Sequence, residues 1–283
     1  MEQNLLSSLE EAVVKYEKGK GIFNTGPLEK IRKYPLRIVF SKFLDKAFQL
    51  RYVVKNRLFT GDSFFTEGYY MDFYLCGLLS ADPEIRLAKY LIKNLNKDDI
   101  FFDIGANYGY YTVIASRLGA RAHSFEPTSS VFEILSKNCP NAILNNAAVG
   151  AFDGEADFLS LDSGKEHNGL LVSIGKEEKS SKHEIKKVRV VTLDCYCEKI
   201  FPTLMKVDVE GGENDVIKGA SLTLSHKPKI VMEFLPEETY FKAVDVLLEM
   251  GYSLYAIDKD GNEVPETISR LKNRKESDNI LFK

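Results

Sequence analysis

From Ile100 to Ile104 the chain is apolar except at Asp103, and after Gly109 the apolar positions Tyr110, Val113, Ile114 and Leu118 recur at helical spacing. A short apolar run followed by a glycine turn and a helical period predicts a buried parallel strand, a tight loop and a helix. The same switch recurs downstream. Strands are expected over Arg121–Pro127, Ile143–Gly150, Leu204–Glu210 and the KIVMEF run ending near Glu233. EETYFKAVDVLLEMGY reads as an amphipathic helix, and SLYAID with NILF closes the sheet. GEADFLSL and KKVRVVTLDCYC look like paired strands flanking a glycine-, serine- and charge-rich loop at 162–187, read as mobile. Alternating strands and helices of this kind predict a Rossmann-like α/β sheet, mostly parallel with an antiparallel last strand.

Upstream the pattern changes. Leu5, Leu6, Leu9 and Val13 make one helical stripe and Ile31 to Leu58 another around Pro35, so residues 1–60 form an expected N-terminal helical extension. Residues 61–98 are the lead-in, with the aromatic GYYMDFYLCGLL placed as a cleft cover and a helix starting at Asp82-Pro83-Glu84. The remaining domain is 99–283.

The turn after the first sheet strand lies where open α/β sheets bind ligands. A dinucleotide fingerprint needs G-x-G-x-x-G. Here the spacing is D-x-G-x-N-x-G, with Asp103, Gly105, Asn107 and Gly109, so Asn107 stands where the second glycine would be. A carboxylate beside the turn repels a pyrophosphate, which disfavours a nicotinamide oxidoreductase. S-adenosylmethionine carries no phosphate, and its ammonium and sulfonium would gain roughly 4 kcal/mol from a carboxylate at ~4 Å in an effective dielectric of about 20. Gly105 is expected to approach this cofactor too closely to tolerate a side chain.

Glu126, in F-E-P with Pro127, ends the second strand at the distance where nucleotide folds place an acid on the ribose hydroxyls. Its bland alternative is a cap for the helix starting near Ser129. Asn146 and Ala147 either flank an adenine ring or mark a polar turn towards a hairpin at Asp153-Gly154. In LMKVDVEGGENDVIKGA, Lys206, Asp208 and Glu210 alternate along one strand, and on regular strand geometry Asp208 and Glu210 share a face. A carboxylate at a buried strand tip is costly unless a cation or donors meet it. Glu213 is read as favouring a helix N-terminus.

DIGANYGYYT (with Ala106), SFEP, NNAAVG, VTLD, KVDVEGGENDVIKGA, IVMEF and DNILF together resemble the FkbM family of S-adenosylmethionine-dependent methyltransferases, over about Leu87 to Phe282. The order of D-x-G-A-N-x-G, F-E-P and D-V-E-G carries the resemblance. It implies a class I methyltransferase domain acting on a hydroxyl oxygen of a small molecule or glycan, with a sugar or lipid-linked saccharide as the preferred acceptor. Gly212 departs from the larger residue common in the family. Asp208 and Glu210 are then the candidate base, with Glu233 and His167 as outsiders, and Asp208 also a cofactor contact. A non-catalytic S-adenosylmethionine-binding module is the competing reading.

Composition fits a soluble enzyme: 44% hydrophobic and 28% charged residues in 283. The net charge of −3 gives no reason to expect nucleic acid. No apolar run reaches ~20 residues and the first segment is charged, so a cytoplasmic location is expected. Residues 27–59 hold nine basic and two acidic side chains, compatible with peripheral membrane contact or with the basic face of a packing or homo-oligomerising helix. Cys195 and Cys197 form a C-x-C pair with no second pair, and no metal-ligand spacing is read, though whether a divalent ion joins Asp208 and Glu210 stays open.

Overall fold

The computed structural model describes residues 1–23, 53–67, 82–161, 169–170, 183–198 and 200–283. The chain divides into two compact units, Met1–Ile85 and Arg86–Lys283. In the first, helix α1 (Glu2–Phe23) precedes an antiparallel hairpin of β1 (Val53–Arg57) and β2 (Ser63–Glu67). The helical stripe expected up to Leu58 therefore ends in a strand. The β-branched pair Val53-Val54 and the alternating burial of β2 favour the pleated surface, with Gly61 in the left-handed region (φ 88°) at the turn. The Asn56 amide donates to Thr66 Oγ1 at 3.0 Å inside this hairpin. The cleft-cover segment 68–81 and residues 27–52 of the basic stretch lie outside the described residues.

Helix α2 (Asp82–Asn94) leads into the second unit, with acidic residues in its first turn as its dipole favours. There follow β3 (Ile100–Ile104), α3 (Tyr110–Leu118), β4 (Arg121–Phe125), α4 (Ser129–Asn138), β5 (Ile143–Asn145), β6 (Ala148–Val149), β7 (Gly154–Leu161), β8 (Gly169–Leu170) and β9 (His183–Val191). The chain continues through α5 (Leu193–Tyr196), β10 (Leu204–Val207), α6 (Glu213–Lys218), α7 (Ser221–Ser225), β11 (Lys229–Phe234) and α8 (Glu238–Glu249). It closes with β12 (Leu254–Ile257), β13 (Glu263–Pro265), α9 (Ile268–Leu271) and β14 (Asp278–Phe282).

The main sheet has the order β13-β12-β14-β11-β10-β3-β4-β5. Pairings from β5 to β11 are parallel, and β14 inserts antiparallel between β11 and β12. This is the expected Rossmann-like sheet. Successive strands run outward from β3 to β5, and β10 then starts again on the other side of β3. The crevice between β3 and β10 is thus the topological switch point, where such sheets bind ligands.

Alternate residues Phe102, Ile104, Met205, Val207, Ile230, Met232 and Phe234 join one apolar core with Val216 of α6 and Val244 and Leu247 of α8. On the opposite face Ser124, Asp103 and Lys206 are register partners across β4, β3 and β10. Three polar side chains in a row across a buried sheet need one another. A smaller sheet, ordered β6-β9-β7-β8, has its own apolar cluster with Phe158 and Val190. The paired strands expected here are present, but β9 starts at His183, so 183–187 belong to the strand rather than to the loop. Alternation of Val188 and Val190 with charged neighbours gives that stretch its strand face.

Candidate active site

The loop between β3 and α3 is built by three left-handed residues in alternation: Gly105 at φ 77°, Asn107 at φ 51° and Gly109 at φ 88°. Asparagine is among the few side chains that enter this region readily, so Asn107 serves where a glycine would otherwise be needed. The Gly105 and Ala106 amides both donate to the Phe125 carbonyl, at 3.1 and 2.9 Å, which ties the loop to the end of β4. A Cβ on Gly105 would lie 1.8 Å from the Asp208 carbonyl oxygen. Glycine is therefore required here by the neighbouring strand end of the protein itself, a reason different from the cofactor approach expected above.

Asp103 lies beneath this loop and is fully buried. It accepts a hydrogen bond from Thr112 Oγ1 at 2.6 Å, and Thr112 Oγ1 is 2.8 Å from Ser124 Oγ. Burial pushes its carboxyl above the usual range, against the lowering pull of Lys206 and of the Thr112 hydroxyl. The Lys206 ammonium stands 3.9 Å from Asp103 Oδ1, 2.8 Å from Asp208 Oδ2 and 3.2 Å from the Gly105 carbonyl. Burial alone would lower the lysine, but the carboxylates of Asp208 and Asp103 outweigh it and hold it above its ordinary value.

Glu126 closes the other side of the loop. One oxygen accepts the Asn107 amide at 3.2 Å and the other the Thr128 amide at 2.8 Å. Burial raises its carboxyl to about 7 against these donors. Asn146 donates from its amide to the carbonyls of Glu126 and Pro127, at 2.8 and 3.2 Å, so it fixes the strand end that carries Glu126. Ala147 is buried behind it.

Asp208 and Glu210 come together by a route that regular strand geometry does not supply. Strand β10 ends at Val207, and the chain then curls through Glu210 (φ 55°) and Gly211 (φ 94°). The Glu213 carboxylate accepts the Val209 amide at 3.0 Å from the first turn of α6, and burial raises its carboxyl to about 8. The curl brings Asp208 and Glu210 towards Glu233 on β11, and one carboxylate oxygen from each lies within 4.8 Å of the others. Carboxylates at that spacing suit either a shared proton or an oxygen-liganded divalent cation. Glu233 is pushed up to about 8 by burial first and then by Asp208 and Glu210, and its Oε1 accepts from Ser277 Oγ at 2.9 Å.

Glu233 therefore belongs to the cluster, not outside it. Its sequence signal was a lone charge inside an apolar strand, KIVMEF; Lys206, inside LMKV, carries the same signal. His167 lies outside the described residues. Cys195 is exposed and Cys197 buried, both as free thiols.

A loop of glycines and asparagine, an acid at the end of the next strand and a carboxylate cluster thus meet at the switch point. The family model described as Methyltransferase FkbM domain matches residues 103–254, more than half of the chain and all of these groups. The chain belongs to the FkbM methyltransferase family. A curated relative, the hexuronic acid methyltransferase AglP of Haloferax volcanii, is 27% identical over 146 residues, covering 50% of this chain and 59% of that protein. The chain thus matches less than two thirds of that relative's length. Among solved structures, the FkbM methyltransferase of Methylobacillus flagellatus KT aligns at 16% identity with a TM-score of 0.43, covering 67% of this chain and 44% of that one. Aeropyrum pernix fibrillarin with bound S-adenosyl-L-methionine aligns at 12% identity and a TM-score of 0.39, covering 70% of this chain and 73% of that one. The mostly parallel sheet with an antiparallel insertion is the class I methyltransferase arrangement that the FkbM resemblance implied.

Proposed function

We propose that this FkbM-family chain moves a methyl group from S-adenosylmethionine to a hydroxyl oxygen of a small molecule or glycan, with a saccharide as the preferred acceptor. The observation that carries this reading is the convergence of the Gly105–Gly109 loop and Glu126 with Asp208, Glu210 and Glu233 at one switch point. The loop and Glu126 form the cofactor side: Glu126 has lone pairs left for ribose hydroxyls after taking two amides, and the surrounding carboxylates suit a sulfonium and an ammonium. The three carboxylates form the acceptor side. The relative that acts on hexuronic acid supports a saccharide acceptor.

In the proposed step the acceptor oxygen attacks the methyl carbon as the carbon–sulfur bond breaks. Sulfur keeps the electron pair and S-adenosylhomocysteine leaves, while the hydroxyl proton passes to a carboxylate. Collinear alignment of oxygen, carbon and sulfur contributes ~7–11 kcal/mol to such steps, and a placed base ~10²–10⁴-fold. Glu233, raised to about 8, already holds its own proton near neutral pH, so Asp208 or Glu210 is the carboxylate that takes the hydroxyl proton, with Glu233 orienting the hydroxyl.

The test is transfer of labelled methyl from S-adenosylmethionine to a panel of neutral, amino and hexuronic-acid saccharides. Label in a base-stable methyl ether supports the reading. Label in none, or only in a base-labile ester or an amine, contradicts hydroxyl transfer.

A further inference from the structure

We propose that Lys206 is a positioning residue that locks the cofactor loop to the acceptor-side carboxylates through a single buried ammonium. Its cofactor arm rests on the reading of the Gly105 loop as an S-adenosylmethionine site. Lys206 sits inside an apolar four-residue strand and is 3% exposed. A lysine is seldom placed there unless paired, because desolvating the charge is expensive. Its partners come from two strands and do different work. The Gly105 carbonyl, 3.2 Å away, belongs to the first left-handed residue of the loop, and Asp208 Oδ2, 2.8 Å away, belongs to the carboxylate cluster. Asp103, its register partner on β3, supplies charge from below at 3.9 Å, and the Tyr111 ring lies 5.4 Å from the ammonium.

One cation thus touches both sides of the switch point. If the ammonium moves, the loop carbonyl and Asp208 lose their common anchor together. The Asp208 amide already donates to the Ile104 carbonyl at 3.0 Å, so main-chain pairing holds the strands together without the lysine. What the ammonium adds is side-chain register across the crevice.

The test compares full-length wild type, Lys206→Met and Asp208→Asn by hydrogen–deuterium exchange without ligand and by calorimetry with S-adenosylmethionine. The expected result for Lys206→Met is faster exchange confined to 104–109 and 208–211, with cofactor affinity weakened about tenfold or more, as for loss of one charged hydrogen bond. Asp208→Asn keeps an oxygen that can accept from the ammonium, so exchange in the loop rises less than in Lys206→Met. Exchange rising evenly across β3, β10 and β11 would reduce Lys206 to a fold-stability role and overturn the proposal, as would wild-type loop exchange and affinity. If Lys206→Met does not fold, Lys206→Met/Asp103→Asn removes the cation together with a buried anion and is compared with Asp103→Asn alone. Equal loop exchange in those two also overturns it. A wild type that binds no S-adenosylmethionine would refute the functional reading instead, leaving the exchange comparison to decide the role of Lys206.

Discussion

The side chains at the crevice divide by what each is attached to. Glu126 holds two main-chain amides, whereas Asp208, Glu210 and Glu233 face one another, so their removal should have different consequences. Asp208→Asn, Glu210→Gln and Glu233→Gln should each lower the transfer rate by ~10²-fold or more. Cofactor affinity should stay within about a few-fold. Single-turnover transfer beside calorimetry checks this, and wild-type rates in all three would remove the cluster from the chemistry. Glu126→Ala strands the Asn107 and Thr128 amides, so a loss of about 1–3 kcal/mol in urea stability should accompany weaker cofactor binding. The carboxylates were legible because each is a charge in an apolar run or at its end. The Asn107 amide as a partner of Glu126 was not, because its direction depends on a left-handed residue whose geometry no hydrophobic period encodes.

At the scale of elements, the strand-turn-helix around Gly105 couples fold and site. The glycine's missing Cβ makes room for the Asp208 carbonyl oxygen, which an added Cβ would meet at 1.8 Å, so Gly105→Val should weaken the whole β3–β10 contact and not the ligand site alone. Chemical denaturation should show a lowered midpoint together with lost S-adenosylmethionine binding. Native stability with lost binding would mean that the cofactor, not β10, requires the glycine. The parallel strands and helices of the main sheet were readable from period and punctuation. The strand Val53–Arg57 falls inside the stretch expected to be helical because short apolar runs fit either period, and β10 ends at Val207 rather than at Glu210 because two left-handed residues curl the chain after it.

Across the whole molecule, burial has raised several acids at once: Glu126 to about 7, and Glu213 and Glu233 to about 8, from 4.5. Between those values the folded state holds protons that the unfolded chain has lost, so stability falls as pH rises through this window. His123, lowered to about 4 by burial first and Arg121 second, acts oppositely, but only from that value up to 6.5. Tm of the ligand-free protein should therefore fall from pH 6.5 to 8, and Glu213→Gln should flatten the slope. A Tm that rises over that range would contradict these shifts. The overall architecture was legible because alternating elements leave few topologies, while nothing in the pattern specified that one crevice would gather so many buried acids. The most direct measurement is a calorimetric titration of S-adenosylmethionine into the full chain, in parallel with NAD. The expected result is one site per chain for S-adenosylmethionine, none for NAD, and a loss of about 1.5–3 kcal/mol of binding energy in Glu126→Ala. No binding of S-adenosylmethionine, or equal affinity in wild type and variant, would contradict the placement of the cofactor at this switch point.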